Sequence, residues 1–544
     1  MKILRPHVIL LLLLVSSPAL AARTERLIDT WQPQHYLVNI SLNDQLTEIS
    51  SASARIDIKV LKPTRVIDLD FGELTVDRVM VNLKLLEFTH NDGRLLVTLS
   101  EDAKLGDVVS LTVEYHGKPK DGLILTKDKD GNPSAVGDNW PNRVHQWIPT
   151  LDHPSAKAPI TFNITVPANQ EVVANGKLEK VETIATGQRT WTYTEAVPIP
   201  PYCMIIAVGQ FAKVEPVERA VTPLSYYVPL SERELALKGF SPGGPVMDYF
   251  TNTVAPYPYE KLALIVGATR FGGMENSSAI VFTSNLFSRA AAPSIDMSRK
   301  FGVPSNNVNV IAHEIAHQWF GDSVTESTWS DLWLSEGFAT YFAALFVQRF
   351  EGEDAFRALM NNASLAVFAY EKKKLVPIFD RDTENLMELL NPNNYQKGAW
   401  VLHMLRSQLG DDAFFRGIRD YYTTHKNATA SSENLRAALE KASGKNLRAF
   451  FARWVYDSGH PQYELAWYWL GKREVRIVLS QRQIGNAFVD PVPVTISTAT
   501  GKREIVLKPT GKLFIERVPL RQKPTSIEVD PQNVLLDETN IKGN

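Results

Sequence analysis

The sequence predicts an α+β multidomain protein, with an antiparallel β domain first, a mainly helical domain in the middle and a small β-sandwich last. Three observations lead to this fold class. A chain of 544 residues is too long for one hydrophobic core, so several domains are expected. Apolar and polar residues alternate up to about residue 218 and again from about residue 463, as they do in strands. Between those stretches the apolar residues follow the i, i+3, i+4 spacing of helices.

Residues 1–21, MKILRPHVILLLLLVSSPALA, are predicted to be an export signal. Lys2 and Arg5 precede an apolar run, and the segment ends at Ala21 in the small-x-small pattern of a cleavage site. The run is short for a membrane span, and an uncleaved N-terminal anchor is the alternative. After cleavage we expect a periplasmic or extracellular protein without a membrane span.

The rest of the chain divides into three predicted domains. Residues 22–218 form an N-terminal β domain, in which runs such as SLTVEYHG and RTWTYTE are separated by turn signals. Residues 219–462 form a helical domain, with helix-forming runs such as ENLRAALEKASG. Residues 463–544 return to strands such as EVRIVLSQRQ and GKLFIERV, which suit a small β-sandwich.

Charge and cysteine content narrow the class of protein. The formal net charge of -2 gives no reason to expect nucleic acid or an anionic membrane as a partner. Cys203 is the one cysteine in the sequence, so an exported chain has no internal disulfide. We therefore expect stability from large cores and interpret Cys203 as a small buried residue.

The segment HEIAH at 313–317 predicts a metal site on a helix. A helix from about residue 306 to 320 places His313 and His317 on one face, about 5–6 Å apart between Cβ atoms. Two imidazoles at that separation can share one zinc ion. Glu314 lies about 100° round the helix and suits a base that takes a proton from water. A polar pair satisfied inside the core is the alternative.

A catalytic zinc site needs a third protein ligand. The segment WSDLWLSEGFATYF supplies Glu336, with 18 residues between it and His317. The apolar pattern that follows predicts a second helix packed on the first, with the carboxylate in the interface. A buried carboxylate needs a partner such as a divalent cation. An acid facing solvent at the start of a helix is the alternative.

The segment RFGGMENSSAIVF at 270–282 is a second candidate for the site. Paired glycines before a strand-like run suggest backbone that approaches a ligand closely. Glu275 would then be an acid held near an apolar wall, whereas a plain turn is the alternative.

Together these motifs resemble the gluzincin family of zinc aminopeptidases typified by aminopeptidase N, whose leukotriene-A hydrolase branch shares them. The matching residues are GGMEN at 272–276, HEIAH at 313–317 and Glu336. The resemblance also covers YPYEKLALI at 257–265, HQWFGDSVT at 317–325 and YQKGAWVLHMLR at 395–406. Some similarity runs from about residue 30 to the end of the sequence.

The resemblance implies a thermolysin-like helical domain that binds one Zn2+ per chain. By position, His313, His317 and Glu336 match the family's zinc ligands. Glu314 matches its general base, and Tyr395 matches the tyrosine whose hydroxyl stabilises the tetrahedral intermediate.

The resemblance also implies a substrate-binding segment at residues 272–276. Glu275 matches the residue that pairs with the α-amine of the substrate, and Gly272 and Gly273 match backbone that lies along the peptide. Met274 and Asn276 complete the motif. We therefore expect all five residues of the motif to bind substrate.

Asp331 is a further candidate, outside the matched motifs. It precedes the predicted second helix and is expected either to accept a hydrogen bond from a ligand histidine or to cap that helix.

The chain departs from the family pattern at three places. Many members carry a glutamine or glutamate as a second contact to the amine. In the matching segment, residues 137–154, neither residue stands at the expected place, and Asp138 or Asn139 is the candidate replacement. Ser335 stands where asparagine is commoner. Larger members place a helical domain over the cleft, whereas about 80 residues follow the catalytic segment here, so we expect a cleft open to solvent on one side.

The implied function is a zinc-dependent aminopeptidase that uses water to hydrolyse the N-terminal residue from peptides with a free N-terminus. An endopeptidase and an epoxide hydrolase on the same zinc site are the alternatives, as is a non-catalytic peptide-binding protein. The GGMEN segment argues against an endopeptidase, and the presence of all three ligands and the base argues against a binding protein. The sequence leaves the oligomeric state open.

Overall fold

The computed structural model describes residues 23, 25–185, 187–216, 222–287, 305–471 and 473–543. It confirms the predicted order of a β region, a helical region and a second β region. The export signal predicted at 1–21 lies outside the described residues. Among the helices that are described, none is both long and apolar enough to cross a membrane.

The N-terminal domain is built on an eight-stranded sheet. The strands pair antiparallel, except that Trp31–Leu42 runs parallel to Ala158–Pro167. Alternate residues of Trp31–Leu42 are buried, as the period-two pattern predicts, and they join one large apolar core. In order across the sheet, the strands are Lys177–Thr183, Gln188–Ile199, Ala158–Pro167, Trp31–Leu42, Ile49–Val60, Val108–Gly117, Thr75–Val81 and Lys84–Leu85.

Two smaller sheets complete this domain. A three-stranded sheet consists of Thr64–Asp70, Arg94–Ala103 and Glu87–Asn91. A four-stranded sheet consists of Glu171–Ala174, Ile206–Gly209, Pro133–Gly137 and Leu123–Lys127. The four-stranded sheet packs against the next domain, because Val136, Ile205 and Ala207 share a buried cluster with residues of the sheet that follows.

The central domain begins with a five-stranded sheet whose order is Phe211–Val214, Leu224–Pro229, Leu262–Gly267, Ala279–Thr283 and Gly273–Met274. Strand Phe211–Val214, which the sequence analysis placed in the N-terminal domain, pairs with Leu224–Pro229. The change of sheet therefore falls before residue 211 rather than at 218, since alternation marks a strand but does not identify its partner.

The helices of the central domain pack around one large core. They are α1 (Arg233–Gly239), α2 (Gly243–Thr253), α3 (Ser305–His317), α4 (Trp333–Glu351), α5 (Glu353–Glu371), α6 (Gly398–Leu409), α7 (Asp411–His425), α8 (Ser432–Ser443) and α9 (Arg448–Trp454). Helix α4 is buried on nearly every side from Trp333 to Val347, which makes it the central helix of the domain. A short parallel pair, Val324–Glu326 with Ala428–Ala430, lies beside it.

The C-terminal region consists of two small sheets. One contains Leu513–Pro519, Glu474–Gln481, Gln462–Trp469 and Glu538–Gly543, and the other contains Gly501–Leu507, Val492–Thr498 and Pro524–Val529. Ile477 of the first sheet and Ile496 of the second are fully buried in the same core as the helices. The predicted C-terminal β region is therefore confirmed, and it packs directly on the helical domain.

Candidate active site

Helices α3 and α4 bring the three predicted zinc ligands together. Nε2 of His313 lies 3.0 Å from Nε2 of His317 and 3.2 Å from Oε2 of Glu336. Nε2 of His317 lies 3.3 Å from the same carboxylate oxygen. The i, i+4 spacing on α3 aligns the two imidazoles, and the start of α4 supplies the carboxylate.

The geometry of this triad fits one zinc ion. Ligand atoms bound to zinc at about 2.0–2.1 Å in a tetrahedral arrangement lie about 3.3 Å apart, close to the separations in the triad. Burial raises the pKa of Glu336, but the charge of His317 and the hydrogen bonds from both histidines outweigh burial and lower it to about 2. The triad therefore offers two imidazole rings and a carboxylate, the donor set of a catalytic zinc site, and binding of a metal would release the protons from both Nε2 atoms.

The second ring nitrogen of His317 fixes the orientation of that ligand. Nδ1 lies 3.0 Å from Oγ of Ser335 and 3.1 Å from the carbonyl oxygen of Phe320. A Cβ atom at Gly321 would lie 2.3 Å from the same Ser335 Oγ, so the turn after α3 needs a glycine there. Ser335, which the sequence analysis noted as a departure from the family, is thus a contact of a predicted zinc ligand.

Asp331 does not contact a ligand histidine, and neither expectation for it is met. Its Oδ1 accepts hydrogen bonds from the backbone N–H and the hydroxyl of Ser432, at 2.9 and 2.6 Å. Ser432 is the first residue of α8, whose capping box is formed by Ser431 and Asn434, so Asp331 adds a contact at the start of that helix and does not cap α4. A contact across 101 residues leaves no trace in the local sequence.

Glu314 packs against the glycine pair. A Cβ atom at Gly273 would lie 2.4 Å from the carboxyl carbon of Glu314, so a side chain at this position would displace the carboxylate. Burial raises the pKa of Glu314 well above its ordinary value; the charge of His317 opposes this, and Glu275 and Glu336 add to it. A cation bound by the triad would stabilise the ionised form. The predicted base therefore lies beside both the metal ligands and the substrate-binding segment.

Gln318 holds the segment that carries Glu275. Its Nε2 donates to the carbonyl oxygen of Glu275 at 2.8 Å and to Oδ2 of Asp322 at 2.8 Å, and its Oε1 accepts from the backbone N–H of Ser278 at 2.8 Å. Burial raises the pKa of Glu275 to about 7, opposed by the charge of His317 and reinforced by that of Glu336. Sequence reasoning missed Gln318, although it directly follows the predicted ligand His317.

Tyr395 contacts two members of the triad. Its hydroxyl donates to Oε1 of Glu336 at 2.8 Å, and its ring stacks on that of His313 with centroids 5.8 Å apart. The residue belongs to a π-helical turn, Asn393–Lys397, that leads into α6. Such turns are often found at functional sites, and this one directs the phenol at the carboxylate of Glu336.

These groups line one cavity of about 340 Å3. It contains the triad, Glu314, Tyr395, Glu275 and the backbone of the glycine pair. The lining residues are Trp140, Phe271, Gly272, Gly273, Met274, Glu275, Asn309, Val310, His313, Glu314, His317, Glu336, Thr340, Leu390, Tyr395 and Gln396. A single ligand in this cavity can therefore contact the triad and Glu275 at once.

One predicted substrate-binding residue lies outside this lining. Asn276 is fully buried, and the N–H of Ala279 donates to its carbonyl oxygen at 3.0 Å. The chain therefore turns away from the cavity directly after Glu275, and Asn276 shapes that turn instead of contacting substrate.

The N-terminal domain contributes Trp140 to the cavity, and neither Asp138 nor Asn139 lines it. Asp138 is fully buried in an ion pair with Arg143 at 3.0 Å. Asn139 accepts from the indole N–H of Trp147 at 2.8 Å and donates to a backbone carbonyl. Both side chains are therefore already hydrogen-bonded within the protein, so neither replaces the second amine contact.

We expect Glu336→Ala to remove most of the bound zinc, because two neutral imidazoles remain without the charged ligand. Metal analysis of the purified chain, with about one zinc per chain for the unaltered protein, measures this directly. Thr340→Ala is the control, since Thr340 lines the cavity one turn along α4 and offers no carboxylate or imidazole to a metal. Full zinc retention in a folded Glu336→Ala protein would contradict the assignment of this ligand.

Two family models match the chain. The one described as the Peptidase family M1 domain matches residues 244–454, and the one described as the Peptidase M1 N-terminal domain matches residues 32–203. The first range contains the triad, Glu314 and Tyr395. The second contains Trp140.

Two of the three curated relatives described below carry the name aminopeptidase. The chain is 26% identical over 467 residues to the tricorn protease-interacting factor F2 of Thermoplasma acidophilum, covering 82% of this chain and 56% of that protein. It is 26% identical over 476 residues to the glutamyl aminopeptidase of Rattus norvegicus, covering 80% and 48%. It is 30% identical over 404 residues to probable aminopeptidase 2 of Sulfurisphaera tokodaii, covering 72% and 50%.

The chain spans about half the length of these relatives. The resemblance inferred from the motifs is confirmed, since the two models together span the N-terminal β domain and the helical domain that form the cavity. The chain belongs to peptidase family M1.

Proposed function

We propose that this chain is a zinc-dependent aminopeptidase that releases the first residue from peptides with a free N-terminus. One observation carries the proposal: a buried carboxylate, Glu275, lines the same cavity as the triad and Glu314. An acid at that place can pair with the α-ammonium group of a peptide, and the pair fixes how far the chain reaches toward the metal. The cavity thus selects the bond after the first residue.

The residues of the cavity divide the chemistry between them. Zinc, when bound by the triad, supplies a Lewis acid that polarises the first carbonyl group and lowers the pKa of water. Glu314 accepts a proton from the attacking water and passes it to the leaving amine. The hydroxyl of Tyr395 donates to the oxyanion of the tetrahedral intermediate. Glu275 holds the ammonium group, and the backbone of Gly272 and Gly273 lies along the peptide.

The test is a panel of aminoacyl-arylamides beside their N-acetylated forms, with and without a chelator. We expect turnover of the free amines, loss of that turnover with chelator, and almost no cleavage of the acetylated forms. Efficient cleavage of blocked peptides would favour an endopeptidase on the same site. No turnover of any substrate by the zinc-loaded protein would favour a peptide-binding role.

The same cavity supports a preference for apolar first residues. Trp140 and Met274 belong to one buried apolar cluster, and Phe271 packs against it, with its ring centroid 6.2 Å from that of Trp140. The cavity-lining residues include three carboxylates and, within the described chain, no lysine or arginine. An acidic first side chain would meet like charges and an apolar wall, whereas leucine or methionine would bury its methylene groups at about 0.8 kcal/mol each.

We therefore expect kcat/KM for leucyl and methionyl arylamides to exceed that for glutamyl and aspartyl arylamides by about tenfold or more. Trp140→Ala should reduce the advantage of leucine. Trp191→Phe is the matched control, because Trp191 is a buried tryptophan of the N-terminal domain away from the cavity. A preference for glutamyl substrates in the unaltered protein would exclude this apolar subsite.

The proposed activity belongs outside the cytoplasm. Residues 1–21 carry the basic start, apolar run and small-x-small ending of an export signal. We propose cleavage after Ala21 and a periplasmic or extracellular enzyme. The mass of the mature N-terminus, measured on protein expressed in its own cells, tests this, and a chain that begins at Met1 would contradict it.

A further inference from the structure

A buried ion cluster lies directly beneath the turn that carries Tyr395. Lys397 follows Tyr395 by two residues in the same π-helical turn and is fully buried. Its Nζ donates to Oε1 of Glu371 at 2.6 Å and to the carbonyl oxygen of Gly459 at 2.9 Å. The two side chains of one turn thus have different surroundings: Tyr395 contacts the triad, and Lys397 contacts the cluster.

The cluster connects three separate parts of the chain. Glu371 lies in the last turn of α5, and its Oε2 is 2.5 Å from Nδ1 of His460. His460 precedes the C-terminal sheets, and its Nε2 lies 3.3 Å from Oε2 of Glu538 in the last strand. The side chains of Lys397, Glu371 and His460 are 0%, 3% and 5% exposed. The turn is therefore fixed to α5 and to the C-terminal region at once.

The other side of the turn is held by backbone contact with α4. A Cβ atom at Gly337 would lie 2.8 Å from Cα of Gly398, the residue after Lys397, and 3.1 Å from the carbonyl oxygen of Asn394. Gly337 directly follows the ligand Glu336. The turn is consequently enclosed between the zinc-ligand helix on one side and the ion cluster on the other, so its rotation about its own axis is restricted from both sides.

Burial makes the ion cluster costly. Burial lowers the pKa of Lys397, and the charge and hydrogen bond of Glu371 oppose this effect. A buried ion pair often stabilises a fold no more than apolar residues of the same size would. Charged hydrogen bonds also fix the direction of the groups that they join. Here they fix the turn that carries both Lys397 and the Tyr395 phenol.

We propose that Lys397, Glu371 and His460 are positioning residues that hold the Tyr395 hydroxyl where the oxyanion forms. The inference rests on the proposed function, since it takes Tyr395 as the donor to the tetrahedral intermediate. The three residues touch neither substrate nor metal ligands; they act through the π-helical turn. A small displacement of a catalytic group is enough to slow turnover by large factors.

The test replaces Lys397 by methionine in two backgrounds, the unaltered chain and Tyr395→Phe. In the unaltered chain we expect kcat to fall by about tenfold to a hundredfold, with KM and bound zinc nearly unchanged. In the Tyr395→Phe background, which has no hydroxyl to position, the same change should alter kcat by less than about twofold. A phosphinic peptide, which mimics the tetrahedral intermediate, should bind more weakly to Lys397→Met in proportion to the loss of kcat.

A second variant covers the case in which Lys397→Met does not fold. Glu371→Gln keeps the side-chain volume and a carbonyl acceptor but removes the charge, and we expect a smaller loss of kcat that again disappears in the Tyr395→Phe background. Glu232→Gln is the control for a buried glutamate in an ion pair: Glu232 is 2% exposed, pairs with Lys129 and lies outside the cavity lining. It should leave kcat unchanged in both backgrounds.

Two results would overturn the positioning role. One is an unchanged kcat in folded, zinc-loaded variants of Lys397 and Glu371. The other is an equal loss in both backgrounds, which would mean that the cluster only stabilises the fold. Failure of the proposed function has a different signature, because the unaltered chain would then show no turnover of free-amine substrates and both proposals would fall together.

Discussion

Glu314→Gln is expected to lower kcat by about a thousandfold while the protein keeps its zinc. Glutamine has nearly the shape of glutamate, so the contact with Gly273, where an added Cβ atom would lie 2.4 Å from the carboxyl carbon, is preserved. The amide cannot take a proton from water or return one to the leaving amine. The triad is untouched, because Glu314 supplies none of its three ligand atoms.

The measurement is kcat for a leucyl arylamide together with zinc content of the same preparation. Glu326→Gln is a matched control, since Glu326 is also a buried glutamate of the central domain but does not line the cavity. Burial raises the pKa of Glu326 to about 8, which favours the neutral carboxyl group that an amide resembles. A Glu314→Gln protein with near-normal kcat would remove Glu314 from the role of base.

The parts of the site that could be predicted are those encoded by short spacing. His313 and His317 share a helix face because they are four residues apart, and Glu336 follows a loop of fixed length. Their geometry depends on two helices, of which α3 is amphipathic and α4 is apolar on nearly every side. The position of Tyr395 came from the family resemblance, since no local pattern links it to Glu336 across 59 residues.

The parts that could not be predicted depend on long-range contacts. Asp331 accepts hydrogen bonds from the first residue of α8 rather than from a histidine, because Ser432 comes within 2.6 Å of its carboxylate only in the folded chain. Asn276 turns away from the cavity, although it directly follows Glu275. Trp140 occupies the N-terminal side of the cavity, where a polar contact was expected, because Asp138 and Asn139 are already hydrogen-bonded to their own domain.

The close contact between Gly337 and Gly398 is another feature that the sequence could not predict. Each looks like an ordinary helical glycine in the sequence, yet a Cβ atom on either would come within 2.9 Å of the other's Cα. This contact brings the helix that carries Glu336 against the turn that carries Tyr395. Spacing predicted Glu336 and the family resemblance predicted Tyr395, but neither could reveal that Gly337 and Gly398 bring the carboxylate and the phenol close together.

Glu275→Ala is expected to lower kcat/KM for free-amine substrates by about a hundredfold, because removal of one partner of a desolvated ion pair costs a few kcal/mol. Glu275 is 6% exposed, so little water is present to replace its carboxylate as a partner of the ammonium group. The loss should fall on free-amine substrates alone. N-acetylated arylamides are poor substrates of the unaltered chain and gain nothing from Glu275, so the ratio of free to acetylated turnover should collapse in the variant.

Glu275→Gln separates charge from shape in the same measurement. Its amide oxygen can still accept a hydrogen bond from the ammonium group, but the Coulomb attraction is lost. We therefore expect a kcat/KM between that of the unaltered chain and that of Glu275→Ala. Zinc content should stay the same in both variants, since Glu275 is not part of the triad. If free and acetylated substrates lost the same factor, Glu275 would be acting on the fold of the cavity rather than on the amine, and the selection of the first peptide bond would need another explanation.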